Sequence, residues 1–512
     1  MKLKTYMGVS AGFHDAGVSV VDSNGNILFA GHSERYSKVK NDSTLNEGIM
    51  NEALSYGMPD VVAWYERPWL KKTRQIYSGE WRKALNDKSP RAHLSPYFDD
   101  ILPTSVNMDS RPTRSISTYS HHLSHAAAGF QTSPFEEAMV IVVDAIGEWD
   151  TITAWRAWYD DDGHAQYQRI YRQLYPHSLG LFYSAMTQRC GLKPMEEEYI
   201  LMGMAAYGKK DAYRDVWEMA INQDYNLHTQ KFKRNFHAGI EYEFGAQYGK
   251  ETLALATQLT TERFLGTFMR KLACKPWALE LQNCVFMGGV ALNCVANSHI
   301  RDIWNDMWIM PNPGDCGSSL GAAALAYGKK LNWQGPYLGT NIPGEYPSEE
   351  IIGELQREGI VGVASGRAEF GPRALGNRSL LADPRGEDIK DRVNEIKRRQ
   401  KFRPFAPMIL EEHAHDYFDM PRLDTSPYMQ HTYKCKHPER FPAIVHHDGT
   451  SRVQTVGKDD KTGARDLLEK WYVLTDCPML LNTSLNIRGE PMVNDRTDAD
   501  RFEKKYGVRV CS

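Results

Sequence analysis

The chain is 512 residues long, 42% hydrophobic and 24% charged, with a formal net charge of −3. This is ordinary globular composition, and the length implies more than one domain, which excludes a fibrous, disordered or single-core chain. A charge this close to zero excludes a global attraction to nucleic acid or anionic membrane and leaves only local patches to carry such binding.

The first segment reads as strands joined by tight turns: "TYMGVSA", then "GVSVVD", a turn "SNGN", and "ILFAGHSERY". Residues 45–116 hold several expected helices. The strand rhythm returns at "EEAMVIVVDAIGEWD", which ends in Asp144 and Gly147, and at "TITAWRAWYDDDGHAQYQRIYRQL", two strands around a "DDDG" turn. One module, an apolar strand, a small or acidic loop and a hairpin, thus occurs twice. Actin-like ATPases share that plan, with a nucleotide between the halves. Helical periodicity resumes over "KETLALATQLTTERFLGTFMRKLACK". "NCVFMGGVALNCVANSHI" is a strand meeting a double glycine and then a helix. The Gly- and Pro-rich stretch 331–350 marks a boundary, giving domains over 1–340 and 341–512, the second more basic. Eight cysteines without a C-x-x-C pair fit a reducing cytoplasm. No signal peptide or long apolar run appears, so a soluble cytoplasmic protein with no membrane partner is expected.

"SHHLSHAAAGF" (120–130) sets His121 and His125 four apart, on one face of a helix. Asp144 follows a buried strand, where a carboxylate can meet a metal or phosphate, and Asp315 sits similarly in "PNPGDCGSSLGAAALA". Singly, each aspartate is equally a helix cap or turn residue. Together the four suit a ligand set for iron, manganese or zinc, with cap and turn roles for the aspartates an equal reading. "GGVALN" offers Gly288, Gly289 and Asn293 for close approach to nucleotide phosphates, with Gly317 in the second glycine-rich loop and Gly147 after Asp144; a packing turn is an equal reading. In the C-terminal domain, "GRAEFGPRALGNRS" carries Arg367, Arg373 and Arg378, and "NEIKRRQKFRPFAP" carries Lys397, Arg399 and Arg403. These suit an anion pocket. "LLNTSLNIRGEP" adds Asn482, Thr483 and Ser484 as a short polar turn after an apolar strand.

With these motifs in order, and with "GFHDAG", "MGMAAYGK", "FRPFAP" and "DGTSRVQTV" among them, the sequence resembles the nodulation-protein, cephem and tobramycin O-carbamoyltransferases along nearly its whole length. The resemblance implies an α/β chain: a duplicated actin-like, threonylcarbamoyl-transferase-like N-terminal domain holding iron(II) or another divalent metal and nucleotide, then a C-terminal YrdC-like domain. It implies that carbamoyl phosphate binds at Lys397, Arg403 and Ser484 and that ATP with Mg2+ yields a carbamoyl-adenylate. It implies metal ligation by His121, His125, Asp144 and Asp315, and His14 as general base on the acceptor hydroxyl, a role an imidazole suits. His122 is the odd one out, structural or outside the ligand set. Ile200 and Gln400 depart from the family pattern, where lysine and glutamate are usual, and the C-terminus is short. A homodimer is a family-level expectation.

The acceptor is left open between a small-molecule or sugar hydroxyl and 5-hydroxymethylcytosine in DNA, the latter suggested by likeness to compact phage-borne members, which would work in the host cytoplasm. Residues 66–94 carry eight Lys or Arg against three acids, interleaved with Trp69, Tyr77 and Trp81, a pattern that suits phosphates and unstacked bases. From another class, a non-catalytic nucleotide-binding regulator is the remaining alternative.

Overall fold

The computed structural model describes residues 3–98, 116–222, 231–275, 281–400 and 403–512. The end of the expected helical region, 99–115, lies outside the described residues. The chain forms two compact units, one of Met1–Ser37 and Asn41–Gln334, the other of Lys38–Lys40 and Gly335–Ser512.

Two five-stranded sheets build the first unit. One holds β1 (Thr5–Ser10), β2 (Gly17–Asp22), β3 (Ile27–His32), β4 (Val61–Trp64) and β5 (Ile116–Thr118); the other holds β6 (Glu137–Gly147), β7 (Asp150–Tyr159), β8 (Ala165–Leu174), β9 (Asn283–Met287) and β10 (Asp306–Trp308). Their orders, β3-β2-β1-β4-β5 and β10-β9-β6-β7-β8, are one order read from opposite edges. In both, the first strand is antiparallel to the hairpin and parallel to the fourth strand. β1 and β6 are apolar and buried along their length because both faces are covered. β4 lies where the sequence pattern gave only helices. Its four residues are too few for periodicity to separate strand from buried helix.

Two alanine-rich helices, His121–Phe130 and Ser318–Tyr327, pack against each other, and the second also lies on β1. A Cβ on Gly321 would stand 1.7 Å from the Ser124 carbonyl oxygen, and one on Gly8 1.9 Å from that of Ser319. Backbone meets backbone at both points, which explains the run of small residues in each helix.

The second unit carries β11 (Tyr337–Ile342), β12 (Ile360–Ala364), β13 (Gly366–Glu369), β14 (Arg378–Ala382), β15 (Ala406–Leu410), β16 (Tyr433–Lys434), β17 (Thr450–Ser451), β18 (Gln454–Val456), β19 (Met479–Ser484) and β20 (Val510–Cys511). Six form a mixed sheet, β18-β15-β19-β14-β12-β20. Alternate residues feed two cores. Leu380, Ile409, Met479 and Leu481 pack with the helices Ile389–Ile396 and Arg496–Tyr506 on one face. Leu381, Met408 and Leu480 pack with Ser348–Glu358 and Ala464–Thr475 on the other. Asn482, read from sequence as part of a turn, is inside β19.

Arg378 is fully buried, and its guanidinium donates to five backbone carbonyls: Asn494 at 3.0 Å, Ser365 and Asn377 at 2.9 Å, Thr340 at 2.9 Å and Gly366 at 3.1 Å. Arg367 likewise donates to the carbonyls of Leu338 and Gly339. These two arginines fasten the loop around them, so of the motif's three only Arg373 stays a candidate for an anion. Arg378→Met would strand several buried carbonyls and is expected to destabilise this unit by about 3–5 kcal/mol. Faster hydrogen exchange of β12 and β14 amides than in the native chain is the measurement.

Candidate metal centre and anion pocket

The first turns of the His121–Phe130 helix bring the Nε2 atoms of His121 and His125 to 3.1 Å from each other. Asp144 Oδ2 lies 3.2 Å from the first and 3.5 Å from the second; Asp315 Oδ1 lies 3.3 Å from both. All four side chains are buried, and their ligand atoms lie within 4.8 Å of one another. Two imidazole nitrogens so close share at most one proton, and two buried carboxylates add negative charge without a lysine or arginine among them. Donor–donor distances of 3.1–3.5 Å suit atoms arranged about one ion roughly 2 Å away. The N2O2 set fits a borderline divalent metal.

Local structure fixes each ligand. Asp144 Oδ1 accepts from the N–H of Ala145 at 2.8 Å and of Gly289 at 3.3 Å, which leaves Oδ2 for the centre. Burial would raise the Asp144 carboxyl, but the two imidazoles hold it well below the usual carboxylate range. Gly147 touches the histidines directly: a Cβ there would stand 2.4 Å from His121 Cδ2 and 2.6 Å from His122 Cδ2. Glu148, to which the sequence alone assigns no role, is buried and adopts a left-handed backbone at φ 60°. Its Oε1 accepts from the N–H of His121 at 3.2 Å and of Arg67 at 2.6 Å, so it caps a helix whose own N-cap, Ser120, makes no side-chain cap. Its "DAIGE" context shows an acid after a strand, but not what it holds. His122 bonds Thr153 Oγ1 at 2.9 Å, and burial and the neighbouring His121 push it well below the usual range, keeping it neutral and outside the ligand set.

His14 sits at the rim, with its side chain 26% exposed. Nδ1 is 3.0 Å from Asp15 Oδ2 and Nε2 is 3.8 Å from Asp315 Oδ2. Burial lowers its pKa, but Asp315 and Asp15 outweigh that and raise it to about 9.

The expected nucleotide loops do other work in this structure. Gly288, at φ 91°, donates to the Pro313 carbonyl at 2.9 Å, and a Cβ there would strike the Val143 carbonyl oxygen. Gly289 orients Asp144. Asn293 caps the helix Cys294–Ile300 and exchanges two amide hydrogen bonds with Gln258, at 2.9 and 3.1 Å. A Cβ on Gly317 would stand 1.8 Å from the Asn312 carbonyl oxygen.

The second unit has a basic cluster of its own. Buried Lys397 donates from Nζ to the Ser484 carbonyl, to Asn486 O and Oδ1 at 3.0 Å, and to Ser484 Oγ at 3.2 Å. Burial, then the guanidiniums of Arg399 and Arg403, push it well below the usual lysine range, while the four oxygens favour its charged form. Arg399 is committed to Asn394 Oδ1 at 2.6 Å and lies over the Phe405 ring. Arg373 and Arg403 are half-buried. Asn482 and Ser484 are two apart on β19 and share a face; Asn482 Nδ2 donates to Gln454 at 2.7 Å, and its buried Oδ1 has no partner among the described residues. Burial pushes His446 down to about 4, opposed by Asp448 and assisted by Arg452, Lys390 and Arg403. The buried Nε of Arg452 has no partner among the described residues. Arg452 belongs to the "DGTSRVQTV" motif, but nothing in that string of residues gives it a role.

Comparison with known proteins follows the same division. A family model described as carbamoyltransferase N-terminus matches residues 5–324, and one described as carbamoyltransferase C-terminus matches residues 352–511. The chain is 30% identical to "Uncharacterized protein sll1178" of Synechocystis sp., over 97% of this chain and 93% of that one. It is 29% identical to "Nodulation protein NolNO" of Sinorhizobium fredii, over 95% and 76%. The solved structure of T. kodakarensis HypF aligns with 64% of this chain and 48% of its own at 12% identity, with a TM-score of 0.36, too slight a likeness to fix the fold.

Gly147→Ala places a methyl group against the His121 ring. A loss of Co2+ affinity of about 10–100-fold is expected, measured by calorimetric titration, with hydrogen exchange confirming that the chain stays folded.

Proposed function

The chain belongs to the carbamoyltransferase family and is a carbamoyltransferase, and from that premise we propose that it moves the carbamoyl group of carbamoyl phosphate, through a carbamoyl-adenylate, to an acceptor hydroxyl. The observation that carries this reading is the pair of side-chain clusters, four candidate metal ligands in one unit and Lys397 with Arg399 and Arg403 in the other. In this reading the duplicated sheets are the actin-like transfer domain (1–340) and the second unit is the YrdC-like, adenylate-forming domain (341–512).

In the second domain, water releases orthophosphate from carbamoyl phosphate and leaves carbamate. A carbamate oxygen then attacks the α-phosphorus of ATP, held with Mg2+, and expels pyrophosphate. Arg403 holds the anionic oxygens, Lys397 supplies positive charge beside them while its Nζ fixes Ser484, Arg452 offers its unpartnered N–H, and Ser484 orients the carbamoyl group. Asn482, on the same face of β19, offers an oxygen to the carbamoyl NH2. Arg373 is the candidate for ATP phosphates, and Arg399, held by Asn394 and Phe405, would act on them through its charge.

In the first domain, the adenylate end is proposed at the loops of Gly147, Gly288, Gly289, Asn293 and Gly317, whose packing and capping roles would hold the loop backbone in place beside the nucleotide rather than supply each of its contacts. A metal bound by His121, His125, Asp144 and Asp315, which we read as iron(II), would polarise the adenylate as a Lewis acid. The acceptor hydroxyl attacks the carbonyl carbon, AMP leaves, and the proton passes to His14 Nε2, which would be free to accept it once a cation on Asp315 offsets the carboxylate that otherwise keeps the ring protonated. Asp15 holds the other ring nitrogen.

For the acceptor we favour 5-hydroxymethylcytosine in DNA, with a small-molecule or sugar hydroxyl as the second reading, supported by the nodulation-protein relatives. The test incubates the enzyme with ATP, Fe2+, carbamoyl phosphate and DNA containing that base, followed by nucleoside mass spectrometry. A carbamoyl mass gain on that base alone is expected. Pyrophosphate release without the gain sends the acceptor to sugars and small alcohols, and the absence of both signals overturns the proposed chemistry.

Ser484→Ala and Lys397→Ala are each expected to reduce carbamoyl-phosphate-dependent pyrophosphate release at least about 100-fold. His14→Ala should leave that release near the native rate and block transfer. Transfer at the native rate by the His14 variant would remove it from the mechanism.

A further inference from the structure

The helices Pro68–Tyr77, Trp81–Asn86 and Pro90–Leu94 divide their charge between two sides. Lys71 and Arg74 are buried. Lys71 pairs with Glu66 at 2.9 Å and Asp87 at 3.5 Å, and Arg74 pairs with Glu80 at 2.8 Å. These are the only three acids of residues 66–94. Lys83 also reaches Glu80. Arg82, Lys88 and Arg91 are exposed and have no ion pair among the described residues. A segment that looks mixed in sequence is therefore cationic where it meets water.

Its buried side braces the His14 loop. Lys71 Nζ donates to the Gly12 carbonyl at 3.3 Å, and a Cβ on Gly12 would stand 3.2 Å from His93 Nε2. Its wet side exposes three large rings: Trp69 is 63% exposed, Tyr77 69% and Trp81 54%. The Tyr77 ring lies 5.2 Å from that of Trp149, the residue after Glu148, which in turn holds His121. The exposed rings thus adjoin Trp149, the neighbour in sequence of the residue that caps the His121 helix.

We propose that this surface binds single-stranded or locally unpaired nucleic acid, with phosphates on Arg82, Lys88 and Arg91 and bases stacked on Trp69, Tyr77 and Trp81, and so presents the acceptor hydroxyl to the His14 loop. The inference deepens the acceptor reading above and rests on it. Charge complementarity selects a polyanion, and the exposed rings select one with unpaired planar bases, because a duplex backbone alone would leave them in water.

Fluorescence anisotropy of the full chain with a short labelled oligodeoxynucleotide of unmodified bases, single-stranded and annealed, tests it. The single strand should bind more tightly than the duplex. Arg82→Glu, Lys88→Glu and Arg91→Glu together should weaken binding by roughly tenfold or more and lower the log–log salt slope by about 0.7 for each phosphate no longer neutralised. Trp69→Ala with Trp81→Ala should weaken the single strand by about tenfold and leave duplex binding nearly unchanged. Neither set should alter pyrophosphate release. Absence of binding, or binding equal to native in the charge-reversed chain, overturns the inference. So does a dimer that these variants split while oligonucleotide binding persists, which would give the surface to a second copy. Oligonucleotide binding here without carbamoyl transfer to hydroxymethylated DNA would keep the surface and remove the acceptor reading. Transfer to such DNA unimpaired by the variants would do the reverse.

Discussion

The closeness of two backbones governs the N-terminal unit. Where Gly321 meets the Ser124 carbonyl there is no room for a single methyl group, so the two alanine-rich helices lie nearer than side chains would permit. That approach sets His121 and His125, on one helix, opposite Asp315, in the turn leading into the other. β6 then ends beside them and contributes Asp144. Three ligand-bearing segments far apart in sequence converge because small residues let their backbones touch. The same constraint explains why so much of both helices is alanine and glycine.

Both units use the backbone, alongside side-chain partners, to fix buried polar and charged groups. Asp144 and Glu148 rest on peptide N–H groups, Arg378 on peptide carbonyls, and Lys397 on carbonyl, carboxamide and hydroxyl oxygens. Peptide dipoles fixed by secondary structure do not rearrange as a mobile counter-ion would, so each charged group is held at one position. At the metal centre this leaves one oxygen of Asp144 for the ligand cluster, with the other committed to Ala145 and Gly289.

Much of this was legible from residues alone. The four-residue spacing of His121 and His125 and the two aspartates after apolar strands were visible, and the resemblance tied them into one set. The strand–hairpin rhythm located the repeated module before its strand order was seen. What sequence left out depends on which residues meet across the fold. Glu148 reads as a loop acid until the N–H of His121 lies against it. Arg367 and Arg378 read as anion ligands until the carbonyls around them are seen. Strand β4 is too short to declare a period. In residues 66–94 a count of charges could not say which cations were already neutralised.

Because the two sheets repeat one topology, the loops that follow β1 and β6 occupy corresponding positions, yet they have taken different work. The end of β6 carries Asp144 and Gly147, and the turn after it Glu148, all tied to the metal ligands; the loop after β1 carries His14 and Asp15 and stays partly open to solvent. Such asymmetry separates the ligand-bearing end of β6 from a loop in which only His14 and Asp15 are tied to the proposed reaction. Over evolutionary time a lineage could reshape the loop after β1, together with the helices backing it, to accept a new alcohol, while the ligand-bearing copy remains under constraint.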